Sequence, residues 1–305
     1  MSYEQVMDHA EEIRKAAIEK TIEHLGGRRN SRSYMSRKRP EIEAAFADVP
    51  DLYRPFASMP DPAAYNGLIK SVEGALAKLS SGQLVKDPID GAIYPANTEM
   101  LKISGAESYL EEWTGEAAQM FIKNFITPFP GVLANQFILA AVLKSALEAH
   151  QAMWTKARDD IDAIAHKTLT ALDAMDDCGK NEWTVAFTVV ASVAAVAAVP
   201  VTGGASLAIT AVGATAQVVA AVGPEDPPKN EFSGESAEAV INAMRQGIHK
   251  LYEAIGATEQ RIAKALGDVH TLVGANRDLF VARRPALAGT TAGTITGPDG
   301  LGYSR

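Results

Sequence analysis

The chain has 305 residues, a formal net charge of -8, 47% hydrophobic residues and 22% charged residues. That balance supplies a sizeable core and argues against nucleic-acid binding by the surface at large. The single cysteine, Cys178, excludes an internal disulfide framework and a multi-cysteine metal centre. The low aromatic content of 7%, beside abundant alanine, favours closely approaching helices over a sandwich or barrel.

Residues 2–25 read as a first helix, with Val6, Ile13, Ala17 and Leu25 on one face and Gly26-Gly27 as its stop. This opening stretch is charged throughout and has no apolar core or cleavage site, so it is not a secretory signal. The expectation is either a cytoplasmic protein or export by a route that needs no cleavable peptide. Arg28, Arg29, Arg32, Arg37, Lys38 and Arg39 follow with no acid among them. Six positive charges so close together attract phosphates, but a solvated loop or a salt-bridged surface is the preferred reading and no nucleic acid is expected as a partner. Pro40 is expected to begin a short helix through Phe46. Pro50, Pro55, Pro60 and Pro62 are expected to keep residues 48–62 out of helices.

Asp61-Pro62 reads as a helix start, with Leu68, Val72, Ala75, Leu76 and Leu79 as the apolar face and Ser80-Ser81-Gly82 as the end. Residues 83–98 form a loop. Helical character returns near Thr98, runs to Tyr109–Trp113, and resumes after Gly115 as far as Ile126. Pro128-Phe129-Pro130-Gly131 marks a break. Val132 to Met175 then contains neither proline nor glycine, and Leu143, Leu147, Trp154, Ile161, Ile164, Leu172 and Met175 recur at helical spacings. This predicts a helix of about 45 residues, roughly 65 Å long.

From Trp183 to Gly223 there is no charged residue. Pro200 and Gly203-Gly204 place a turn between two arms, each roughly 26 Å long as a helix, just short of the ~30 Å hydrocarbon thickness. The apolar positions are Val185, Phe187, Val190, Val193, Val196 and Val199 on the first arm. Leu207, Ile209, Val212, Val218 and Val222 occupy the second. Small residues on both arms allow close helix packing, and the valines leave a β-hairpin open. The segment has three readings: a buried central hairpin, a conditionally inserting membrane tip, or a constitutive two-pass anchor. Short arms carrying Thr188, Ser192, Thr210, Thr215 and Gln217 count against the anchor.

After Pro227-Pro228, with Ser233 or Ser236 as cap, comes the last long helix. Ile241, Ile248, Ile255, Ile262 and Val269 share one heptad position, and Met244, Leu251, Thr258, Ala265, Leu272 and Leu279 the other. A seven-residue repeat held this long specifies a supercoiled contact. An intramolecular core is the preferred reading of the seam; a helical protein partner or homo-oligomer is the alternative. The tail from Pro285 is rich in Gly, Thr and Pro.

The predicted fold is therefore all-α: an elongated antiparallel helical bundle whose two long helices flank an apolar hairpin. Its parts are 1–60, N-terminal helices with a basic, Pro-rich linker; 61–182, a helical hairpin with the first long helix; 183–223, the apolar hairpin; 224–284, the heptad helix; and 285–305, the tail.

One local text carries a family resemblance. Trp113, Gly115, Ala117, Ala118 and Phe121 spell W-x-G-x-A-A-x-x-F between helical stretches. This resembles the W-x-G turn of the WXG100 (ESAT-6-like) family, over about residues 62–178. The resemblance implies a turn joining two antiparallel helices, with Trp113 and Gly115 shaping it, and export by type VII secretion, folded and paired. The family's Y-x-x-x-D/E export signal is missing here, since Tyr252 is followed at four by Gly256. A partner would then carry it. Long helices around an uncharged hairpin also resemble α-helical pore-forming toxins of the cytolysin A and haemolysin BL type.

Catalytic patterns are missing: no G-x-S-x-G, H-E-x-x-H or P-loop occurs. The histidines, His9, His24, His150, His166, His249 and His270, are dispersed, and Asp159, Asp160 and Asp162 fall mostly on different sides of a helix. Asp176-Asp177 beside Cys178 raises the thiol pKa and argues against an activated thiolate. No metal, cofactor or small-molecule substrate is expected. The expectation is a non-catalytic secreted or envelope-associated protein that engages a membrane or partner through the apolar hairpin. The alternatives are a pore-forming toxin subunit and a cytosolic assembly protein with the hairpin buried.

Overall fold

A computed structural model describes residues 3–26, 32–81, 85–109, 116–176, 183–186, 229–232, 236–282 and 291. The described chain is an all-α fold with one short exception. The helices are α1 (Tyr3–Gly26), α2 (Arg32–Ala45), α3 (Val49–Ala57), α4 (Tyr65–Leu79), α5 (Thr98–Ser104), α6 (Ala106–Tyr109), α7 (Glu116–Phe121), α8 (Phe129–Asp173) and α9 (Ala237–Ala275). A π-helical turn, Ile122–Ile126, follows α7. The exception is a two-stranded antiparallel ribbon, β1 (Trp183–Ala186) with β2 (Lys229–Phe232).

Two compact units emerge. The first takes its described residues from 1–66, 149–194 and 222–262, the second from 67–148 and 263–305. In the first, Val6, Ala10, Ile13 and Ala17 of α1 are buried against Met153, Ala157, Ile161 and Ile164 of α8, together with Ile241, Met244, Ile248 and Leu251 of α9. Helices α2 and α3 and the turn between them add Ile42, Phe46, Val49, Tyr53 and Phe56 to the same cluster. The forked guanidinium of Arg245 donates to both carboxylate oxygens of Asp48 (2.7 and 3.1 Å), tying α9 to the start of α3.

The second unit is built on a different part of α8. Leu76 of α4 packs with Phe137 and Ala141 of α8, and Ile138 and Val142 pack with Leu266 and Val269 of α9. Asn135 donates to the Leu279 carbonyl (2.7 Å). Within this unit the partner numbers on α9 fall as those on α8 rise, so the two helices run antiparallel here.

Several expectations are corrected. The basic stretch is helix, not loop, from Arg32 onward, and Pro40 lies inside α2 rather than at its start. The lost Pro40 N–H costs one helix bond. Against that loss, Lys38–Glu41 (2.6 Å) and Arg39–Glu43 (2.9 Å) pair along the helix, and Ile42 and Phe46 are buried after it. Pro50 and Pro55 likewise lie within α3, where Pro50 falls in the first turn and its missing N–H had no helical partner to lose. Leu68 is 54% exposed and Leu143 45% exposed, so neither belongs to the cores their spacing suggested. Leu76, from the expected face of α4, is buried, and on α8 Val132, Phe137 and Ala141 are buried in place of Leu143.

Candidate functional site

The start of the charge-free segment is paired with residues just past its end. Register runs Trp183↔Phe232 to Ala186↔Lys229, so the chain leaves β1 and re-enters β2 side by side. Trp, Thr and Val at 183–185 are strong strand formers, which explains a strand where a helical arm was expected to begin. Lys250 of α9 donates to the Lys229 carbonyl (3.0 Å), tethering the ribbon to the helix beyond it. That helix is capped by Ser236, whose Oγ accepts from the Ala239 N–H (3.2 Å). Of the hairpin positions only Val185 is described, within β1. Phe187, Val190, Val193, Val196, Val199, Pro200, Gly203, Gly204, Leu207, Ile209, Val212, Val218 and Val222 lie outside the described residues, as does the Gly- and Pro-rich tail apart from Thr291.

Trp113 and Gly115 also lie outside the described residues, and Ala118 is placed by its backbone in α7. Phe121 ends α7 half-buried and stacks on Phe125 (5.4 Å between centroids), which in turn meets Phe129. The helices flanking the W-x-G text, α6 and α7, have four and six residues.

The heptad positions Ile241, Met244, Ile248, Leu251, Ile255, Ile262 and Ala265 are all buried, while Val269 and Leu272 are half-buried. Ile241 through Ile255 are spent on the core of the first unit, against α1, α3 and α8. Thr258 is fully buried in this seam and its hydroxyl has no hydrogen-bond partner.

A polar knot, unforeseen from sequence, sits in the second unit. The Lys144 ammonium, 2% exposed, donates to Asp87 Oδ2 (2.9 Å), to Asp90 Oδ2 and to Tyr94 Oη (3.3 Å). All three N–H bonds are thereby used. Asp87 Oδ1 accepts from the Ile89 N–H and Asp90 Oδ1 from the Ala92 N–H, both at 2.8 Å, so the loop 85–94 folds around the lysine. Gly91, at φ +79, makes the reversal that this loop needs. Burial by itself would lower the Lys144 pKa, but Asp90, Asp87 and Tyr94 outweigh it and the ammonium is held well above the ordinary lysine value. Burial opposes ionisation of Asp90 too, yet bonds from Lys144 and the Ala92 N–H hold its carboxyl below the usual range. Burial pushes the Glu148 carboxyl up against the opposing charge of Lys144. A lysine held charged is neither a base nor a nucleophile at neutral pH. The knot is a staple between the loop and α8. Its sequence signal is faint: Lys144 is the first charge after Lys123 in an otherwise apolar run.

Two of the dispersed histidines come together. His9 of α1 and His166 of α8 meet edge-on, with ring centroids 4.9 Å apart, on either side of Asp162. One nitrogen of each ring and one Asp162 oxygen lie within 4.8 Å of one another. Asp162 and His166 are one helical turn apart, a spacing visible in the sequence; His9 joins only through the packing of α1 on α8.

The region Gln119–Asp173 is long and apolar enough to cross a membrane by composition, but 56% of its most apolar window is buried inside the fold. The buried share of it belongs to the helical core. The chain matches no protein-family model, no curated protein and no solved structure.

Proposed function

We propose that the protein is a non-catalytic helical protein that engages a lipid bilayer through its charge-free segment 183–223, working at the cell envelope or outside the cell. The observation that carries this reading is the ribbon: antiparallel pairing of 183–186 with 229–232 makes the segment leave and return at one place. Within the excursion 187–228 the charges are confined to Glu225 and Asp226 beside its return strand, so the stretch through Gly223 can enter hydrocarbon without dragging a charge across. The heptad helix supports the same reading from the other side. Its apolar seam from Ile241 to Ile255 is occupied within the fold, so that seam is not the surface offered to a membrane. The W-x-G text between α6 and α7 favours an exported protein of the WXG100 kind over a resident anchor.

Vesicle flotation and dye release by the purified protein test this, with Ala195→Asp as the paired variant. An aspartate at the bilayer centre costs about 3 kcal/mol, so binding should fall by about a hundredfold. Flotation without leakage supports a membrane-engaging protein, and leakage assigns it to the pore-forming kind. If wild type does not float and Ala195→Asp merely melts at lower temperature, the segment packs against protein and the membrane reading is wrong.

A further inference from the structure

Buried imidazole nitrogens find partners in native proteins, and one that does not calls for an explanation such as a bound ion. His9 Nδ1 is shielded from solvent and has no hydrogen-bond partner. The nearest carboxylate oxygen, Asp162 Oδ1, lies at 3.6 Å, within ion-pair range but beyond a hydrogen bond. The same oxygen is 3.3 Å from His166 Nδ1. We propose that His9, Asp162 and His166 bind one borderline transition cation, Zn2+ foremost, that clips α1 to α8.

The donor set selects the class of ion. Two imidazoles and one carboxylate suit zinc, cobalt or nickel, whereas calcium and magnesium demand oxygen. The spacing also fits. Bonds of about 2.0–2.1 Å at tetrahedral angles put donors roughly 3.3 Å apart. The two contacts to Asp162 Oδ1 stand at 3.3 and 3.6 Å, and all three donors lie within 4.8 Å. Small rotations of the outer ring close the remainder.

That ring is free to make them, since the His166 side chain is 60% exposed. Its Nδ1 now lies 3.0 Å from the Asp162 carbonyl, a contact the ion would replace. The ring proton then sits on Nε2, where water accepts it. His9 is held on α1 beside Ala10 and Ile13, whose burial against α8 fixes its approach. Three protein ligands leave a fourth position to water.

The test is calorimetric titration of the metal-free, full-length protein with Zn2+, beside the variants His9→Gln, Asp162→Asn, His166→Gln and His249→Gln. His249 pairs with Glu253 one turn along α9 (3.3 Å) and stands for an ordinary exposed site. One Zn2+ per chain is expected, with affinity at least about tenfold weaker in the three ligand variants, the loss that even an outer-shell change causes. His249→Gln should bind as wild type does. Co2+ should give an intense visible absorption band in wild type that Asp162→Asn lacks. Zn2+ should raise the melting temperature of wild type and leave that of His166→Gln unchanged. His166 is exposed, so this variant decides the matter if His9→Gln disturbs packing. No bound Zn2+, or Zn2+ bound equally by His166→Gln, would overturn the proposal.

Discussion

An ammonium ion leaves water only when its bonds are replaced, and at Lys144 each one is. Removing it strands the Asp87 carboxylate, whose side chain is fully buried. Lys144→Met should therefore destabilise by about 3–5 kcal/mol, read from urea unfolding, whereas substitutions at the exposed pair Lys102–Glu99 should change little. The same knot sets a pH window. Asp90 has its folded pKa below the ordinary 3.8, so its contribution is present above that value and is lost as pH falls through the folded pKa. Lys144 has its folded pKa above the ordinary 10.5, so its contribution is complete below 10.5 and is lost as pH rises through the folded value. Thermal melting across pH should show both edges in wild type and neither of these contributions in Lys144→Met. None of the three partners of Lys144 was legible as such, because the nearest of them is fifty positions away and only the folded loop brings it in.

At the scale of elements, periodicity spoke most clearly on α9, where Ile241 to Ile255 face the core of the first unit. Every heptad position from Ile241 to Ala265 is buried. Thr258 is the exception in chemistry, fully buried with an unpaired hydroxyl. Thr258→Val should stabilise by about 1 kcal/mol, seen as a higher urea midpoint at unchanged slope, because it removes a desolvated polar group without changing shape. Periodicity misled at Leu68 and Ala75 of α4 and at Leu143 of α8, while Leu76, Ile161, Ile164 and Leu172 are buried as it implied. Leu143 had the right spacing, but the buried face of α8 near it passes through Val142, Ser145 and Ala146. Proline misled as well. Pro40 was expected to start a helix and Pro50 and Pro55 to stay out of one, yet helix ends and well-packed interiors tolerate proline.

For the whole molecule, the ribbon pairs the start of the charge-free segment with residues just past its end. Replacing 187–228 by Asn-Gly should join β1 to β2 through a two-residue turn. The shortened protein is expected to keep its helical circular dichroism and melt within a few degrees of wild type, and to lose vesicle flotation. Collapse of the fold would instead place the segment in a core. Composition, charge pattern and periodicity by themselves determined that the chain is all-α, where its two longest helices lie, and that one stretch holds no charge. Those are local properties, set by residues within a few turns of one another. The tertiary structure alone decided that β-strands close the base of that stretch, that Lys144 is ringed by acceptors and that His9 meets His166 across Asp162. Each of these joins residues far apart in the chain, and no spacing rule reaches that far: only the burial of apolar faces, which brings whole helices together, chooses which polar groups become neighbours.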